Sequence, residues 1–395
     1  MGTRSSRGII AVAIAKLNPR FCFPGVACEN GRSPMHVAII TQDGRDNGSA
    51  YFRALQYAPL LAQRDLHVVA SPAPVAVRRM SGSAGAALLL AEHAVRYTQR
   101  AVQLRRLIAD CDAVLVQRGA YPIGPSLLLD CLDGFGGRVV YDLDDAIFLP
   151  TPTLAHRSGL ARWAYRDRQS LALLERADAV IVSTPELERA LPGVDADVVL
   201  PTIPDVWAYP SAVHGQSAPL RLGWIGSQGN VRYLDPLREV LGRLARERVA
   251  ALQVIAPAPW AGPATFVPWE RRSEAALVAG FEVGLMPLPD SPYTQAKAGF
   301  KLLQYMAAGC AVIASPVGVN RSLVEAAGAG VLASTPAEWE AAIRELAGDG
   351  ERRAALGAAG QRFVREFADR DGHADVLAAV LKGEPPPSLP ECPRG

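Results

Sequence analysis

The chain has 395 residues, 49% hydrophobic and 20% charged, with a formal net charge of +2. This is a globular composition, too long for one ordinary core and suited to two domains, and its charge gives no ground for a nucleic-acid partner. Six cysteines show no C-x-x-C and six histidines no H-E-x-x-H, so neither a disulfide framework nor a protein-held metal is expected, and the thiols read as the reduced thiols of an intracellular protein.

No apolar run approaches the ~20 residues of a membrane helix. Residues 9–15 are apolar behind Arg4 and Arg7, but Lys16 and Arg20 interrupt them too soon for a signal peptide. Residues 1–34 are read as a poorly ordered extension ahead of a strand at 35–41. A polar, glycine-bearing loop at 42–49 leads into a helix over about 50–63 and a strand at 66–70. This strand–loop–helix–strand order opens a doubly wound α/β domain. The loop lacks G-x-G-x-x-G, so Gly48 and Ser49 mark either a close approach to a ligand or a plain turn. After a loop at 71–88, a helix at 89–109 precedes a strand at 113–117. That strand ends at Arg118, and ligands in open α/β sheets gather beyond strand C-termini.

The next strand, 139–141, runs into Asp142, Asp144 and Asp145. Three carboxylates in four residues repel one another unless they meet a cation, an arginine or polar backbone. They are site candidates, with a helix cap or an arginine pair as the other reading. A D-x-D-D set also matches a metal motif of a different fold, which the rest of the chain argues against. The arginine-rich helix at 157–176, with Trp163 and Tyr165, reads as a solvated face, a surface for an acidic acceptor, or a contact with anionic lipid. A strand at 177–182 is followed by a helix capped by Ser183 or Thr184, a strand at 198–204 and a loose linker at 205–219.

In the second half, a strand at 220–225, a loop at 226–230 and a helix at 233–248 form a phosphate-cradle pattern holding Gly226, Ser227 and Arg232. Strands at 252–256 and 265–269, a helix at 274–279 and a strand within 281–288 follow. In the stretch 296–318, Phe300, Leu302, Leu303, Met306 and Ala307 recur at helical spacing. Gly309 stands where a C-terminal cap belongs, and 310–314 is a strand closed by Pro316 and Gly318. Lys297 and Lys301 flank the first turn of that helix, where unpaired N–H groups and a partial positive charge suit a diphosphate; otherwise they are two solvated lysines. The segment 317–320 offers backbone N–H groups as well. Helices at 338–346, 352–367 and 371–381 precede a proline-rich tail.

The stretch 296–318 resembles the donor-binding segment of family 4 retaining glycosyltransferases of the GT-B fold. Leu302-Leu303-Gln304-Tyr305-Met306-Ala307-Ala308-Gly309 and Val312-Ile313-Ala314-Ser315 carry the likeness. The resemblance implies an α/β fold with GT-B architecture: two Rossmann-like doubly wound domains facing a cleft. It implies an N-terminal acceptor-side domain at 35–204, a linker at 205–219 and a nucleotide-sugar-binding domain at 220–364. A helix at 365–383 would cross back to the first domain, ahead of a loose tail at 384–395. The implied function is metal-independent, retaining transfer of a sugar from a UDP- or GDP-type donor to an unknown sugar, lipid or small-molecule acceptor. The protein would need no further cofactor and would work in the cytoplasm or against the inner face of the membrane.

The two glutamates of the family's E-x₇-E motif fall on Ala296 and Gln304, and Gln304 can still hydrogen-bond ribose hydroxyls. The family's diphosphate-binding Arg and Lys fall on Ser227 and Arg232, so Arg232 and Lys301 are the expected diphosphate pair. Gly226, Lys297, Leu302 and Gly318 complete the expected donor set. Asp144 and Asp145 fall where the family has a His-Asp pair facing the sugar, and with Lys301 they are the expected catalytic residues. Gly48, Ser49 and Arg118 are expected on the acceptor side. Loss of the motif glutamates also fits a degenerate scaffold or nucleotide-binding protein. A nucleotide-sugar epimerase is a third reading, for which the histidine partners are missing.

Overall fold

The computed structural model describes residues 21–22, 34–73, 83–120, 127–149, 167–212, 214–215 and 218–389. The aromatic part of the arginine-rich segment, Trp163 and Tyr165, lies outside them, as do the tail from 390 and most of 1–34. Two sheets form the frame. The first holds β1 (Phe21–Cys22), β2 (Met35–Thr41), β3 (Leu66–Pro72), β4 (Ala113–Gln117), β5 (Arg138–Leu143), β6 (Ala179–Val182) and β7 (Val198–Val199). Their order is β1-β3-β2-β4-β5-β6-β7. All pairings are parallel except β1 on β3, an antiparallel edge lying inside the segment read as an extension. The second sheet holds β8 (Leu220–Ile225), β9 (Ala250–Ala256), β10 (Ala264–Pro268), β11 (Val283–Met286), β12 (Ala311–Ala314) and β13 (Gly330–Leu332). It is wholly parallel, in the order β10-β9-β8-β11-β12-β13. The continuous apolar strands β2, β4, β5 and β12 are buried on both faces, as parallel sheets covered by helices must be. The architecture is therefore two Rossmann-like domains facing a cleft.

Three departures from the sequence expectation trace to proline. The helix expected over 50–63 is broken into Gly48–Arg53, a 3-10 turn Leu55–Tyr57 and Ala58–Leu61. Pro59 has no N–H for a continuous helix, and its ring would strike the carbonyl of Leu55. The helix expected from Tyr233 starts instead as a 3-10 segment Val231–Leu237 around Pro236, and turns α-helical only over Arg238–Arg246. The strand expected over 198–204 pairs only at Val198–Val199, because Pro201 and Pro204 cannot donate to a ladder.

The chain returns to the first domain at its end. Helix Arg370–Lys382 buries Ala374, Val376, Leu377 and Leu381 against Val37, Ile39, Leu115 and Val140 of the first sheet. Arg64 pairs with Asp371 and Asp375 on that helix, and Arg370 with Asp205 of the linker. Among the described residues no helix is long and apolar enough to cross a membrane.

Candidate active site in the interdomain cleft

Both sheets point the C-terminal ends of their strands at one cleft of about 700 Å³. Gln42 follows β2, Arg118 follows β4, and Asp144 and Asp145 follow β5 on one wall. Gly226 follows β8, Pro257 follows β9 and Met286 ends β11 on the other. This is where open α/β sheets bind ligands, because strand ends and helix N-termini leave backbone polar groups unpaired there.

Helix Phe300–Ala307 is the central element of the second wall. Gly299 precedes it in a left-handed conformation (φ 62°) and Gly309 follows at φ 74°. Tyr305 anchors it beneath the sheet: its hydroxyl accepts from the Ile225 amide (3.1 Å) and donates to the Leu285 carbonyl (3.2 Å). That anchoring aims Gly299, Phe300 and Lys301 into the cleft. The Lys301 stem lies against Gly226, where any Cβ would come within 2.7 Å of the lysine Cε and of the Trp224 ring. Glycine at 226 is thus what admits Lys301. The Lys301 ammonium lies 5.4 Å from the Trp224 ring centroid, and no carboxylate pairs with it among the described residues. Burial, reinforced by Lys297 and only partly opposed by Asp145, pulls its pKa down to about 7.

Lys297 has a different environment. It is buried, pairs with Asp145 of the opposite domain at 3.1 Å and lies 4.7 Å from the Tyr293 ring. Burial opposes its charge, but Asp145, Tyr293 and Tyr233 prevail and hold its pKa above the usual lysine value.

The first-domain wall is a network of paired charges. Arg118, at φ 61°, grips Asp144 with Nε and Nη2 and reaches Asp145 from Nη2 at 2.8 Å. Ser49, beside Gly48 in the first turn of helix Gly48–Arg53, donates its hydroxyl to Asp144, and Gln117 donates its side-chain amide from 3.4 Å. Burial alone would raise the Asp144 pKa, but Arg118 and Ser49 more than offset it and keep the group below the usual carboxylate range. Asp142 is turned away from the cleft and is held by both arms of buried Arg53. Each of the three acids thus has a cationic partner. Phe52 and Phe300 meet across the domains with ring centroids 4.6 Å apart.

The expected donor set divides. Gly226, Ser227, Lys297, Lys301 and Gln304 line the cleft, as do Gly48, Ser49, Arg118, Asp144 and Asp145. Arg232 does not line it: the 3-10 turn set by Pro236 leaves its guanidinium over the neighbouring Tyr233 ring, at 5.4 Å. Leu302 is fully buried in the core behind the helix. Gly318 lies outside the lining and caps helix Val319–Ala327, so close to the Gln295 carbonyl that a Cβ would approach it to 2.1 Å.

Gln304 is committed to a partner that sequence reasoning missed. Its amide donates to Tyr209 (3.0 Å) and to Glu274 (2.6 Å). Glu274, 5% exposed, also accepts from the Tyr209 hydroxyl (3.2 Å) and the Trp269 indole (2.6 Å). Burial raises its pKa against these three neutral donors. An acid in the first turn of a short helix, Glu274–Val278, is favourable for the helix dipole alone and so does not stand out in the sequence. The signal that points to it is Trp269 five residues before, since a buried indole N–H needs an acceptor.

Comparison with known proteins agrees with this frame. Residues 240–349 match the family model described as Glycosyl transferases group 1. No curated protein sequence matches the chain. Among solved structures, sucrose-phosphate synthase from Thermosynechococcus elongatus is similar, with TM-score 0.65, 14% identity, and 88% of this chain and 98% of that one covered. HepE of Anabaena in complex with UDP gives TM-score 0.59 and 14% identity over 88% of this chain and 100% of that one. WaaG, a glycosyltransferase involved in lipopolysaccharide biosynthesis, gives TM-score 0.56 and 14% identity over 88% and 100%. The chain has the GT-B fold, and its second domain carries the segment matched by the group 1 glycosyltransferase model.

Proposed function

We propose that this protein is a glycosyltransferase that moves a sugar from a nucleoside diphosphate donor, of the UDP or GDP type, to a hydroxyl-bearing acceptor with retention of configuration. One observation carries the reading: Lys301 faces the cleft at the N-terminus of an eight-residue helix, with no carboxylate paired to it among the described residues. A cation in that state is completed by an anionic ligand, and the helix end adds its own partial positive charge. The group 1 family match over the same domain supports the reading, as does UDP in the HepE neighbour.

Breaking the bond between sugar and diphosphate builds negative charge on the leaving oxygen. Lys301 and the helix N-terminus meet that charge without rearranging, which is the preorganisation that lowers such barriers. Gln304, its amide nitrogen held by Tyr209 and Glu274, keeps its carbonyl oxygen to accept from ligand hydroxyls on the same wall. Asp144 has its oxygens filled by Arg118 and Ser49, so it acts by positioning those two groups rather than by taking a proton. Ala296 is buried in the core and supplies no carboxylate.

The test is incubation with UDP- and GDP-sugars, following release of the nucleoside diphosphate by chromatography, with and without simple hydroxyl acceptors. NMR of the product then gives its anomeric configuration. Release that disappears in Lys301→Met supports the reading. A second reading, a degenerate nucleotide-binding scaffold, draws on Ala296 and on the commitment of Gln304 to protein partners. It predicts tight nucleotide binding with no sugar consumed.

A further inference from the structure

The charges on the cleft wall add up to a constraint on ligand entry. Asp144, Asp145, Arg118 and Lys297 form one contiguous cluster of two negative and two positive groups. Arg118 is locked to both acids on the first-domain side. Lys297 is the one member that comes from the second domain, beside Lys301 and on the same wall as the helix N-terminus. Its single ionic partner among the described residues is Asp145 Oδ1, while Asp145 Oδ2 belongs to Arg118. Lys301 alone brings one uncompensated cation to an anion that carries two or more charges.

Resting on the diphosphate reading above, we propose that Asp145 is a built-in competitor of the anionic ligand. It holds Lys297 across the cleft until a diphosphate takes its place, and so sets the affinity of the donor site. The geometry supports displacement over permanence. Asp145 keeps Arg118 when Lys297 leaves, so the carboxylate is not stranded, and its side chain is 19% exposed against 8% for Asp144. Lys297 is already buried, so exchanging one anion for another costs it no new desolvation.

The competition predicts an effect opposite to that of an ordinary binding residue. Asp145→Asn keeps the shape and one of the two acceptor oxygens but removes the competing charge. Its dissociation constants for UDP and for inorganic pyrophosphate should fall by about tenfold, the usual size of a coupling between two linked groups. In a Lys297→Met background the same substitution should change neither constant. Calorimetric titration of wild type, the two single variants and the double variant measures this, and the melting temperature of each protein without ligand checks that it is folded. Unchanged or weaker binding by folded Asp145→Asn overturns the competitor role while leaving the diphosphate reading intact. Tighter binding that persists with Lys297→Met also overturns it, since the gain would then not pass through Lys297. Absence of binding by every form, wild type included, overturns the diphosphate reading and the competitor with it.

Discussion

Replacing Lys301 by methionine should make the free protein more stable and the ligand-bound protein impossible to form. Taking the lysine pKa from its ordinary 10.5 down to about 7 corresponds to a ceiling of about 5 kcal/mol, at 1.36 kcal/mol per unit. The side chain is only partly buried, and methionine gives up the contact with Trp224, so a gain of about 1–3 kcal/mol is expected. The size of this gain depends on pH. Below about 7 the amine is charged in both folded and unfolded chains, and the cost of holding it in the cleft is complete. Between about 7 and 10.5 the folded protein sheds the proton first, the unfolded chain binds more protons, and stability rises with pH. The advantage of methionine should therefore be largest at pH 6 and smaller at pH 9. Urea denaturation at both pH values reads it directly, and UDP should stabilise wild type but not the variant. A variant that is destabilised equally at pH 6 and pH 9, or that keeps the response to UDP, would refute the placement of an uncompensated cation at this point.

Glu274→Gln places an amide donor among the three donors that now converge on a carboxylate. It should cost about 1–3 kcal/mol in urea denaturation and weaken nucleotide binding. Arg118→Ala strands Asp144, while Asp145 keeps Lys297, and should cost about 3–5 kcal/mol; Arg118→Lys should not restore it, because lysine cannot reproduce the two-armed grip. The depressed Asp144 pKa means that its contribution is present at neutral pH and lost as pH falls through its folded value. The acid limb of the wild-type stability curve should accordingly flatten in Arg118→Ala. Gly318→Ala forces a Cβ toward the Gln295 carbonyl at φ 54°, and a loss above about 2 kcal/mol in the same assay is expected.

The fold was legible wherever burial is local. The apolar runs that became β2, β5, β11 and β12, and the helical spacing of Phe300, Leu302, Leu303 and Met306, are patterns within single elements. The cleft position of Lys301 was readable for the same reason, since it follows from the first turn of its own helix. What could not be read depends on separation along the chain. Asp145 and Lys297 are 152 residues apart, and Gln304 and Glu274 are 30 apart; nothing local fixes either pair. Arg232 shows how a backbone detail redirects a side chain. Its assignment to the diphosphate assumed an α-helix from Tyr233, and Pro236 turned that stretch into 3-10 geometry. Asp144 lies in the cleft as expected, but the saturation of its oxygens by Arg118 and Ser49 is something three adjacent acids alone do not reveal.

The most direct measurement is a thermal-shift titration of the purified protein with UDP, GDP, dTDP and ADP, repeated with Lys301→Met. The account predicts that at least one of UDP and GDP stabilises the wild-type protein, by about 2.7 kcal/mol at 100 times its Kd, and that the variant, though more stable when free, gains nothing from it. If none of the four nucleotides shifts the wild-type transition, or if the shift survives in Lys301→Met, the cleft is not the diphosphate site described here.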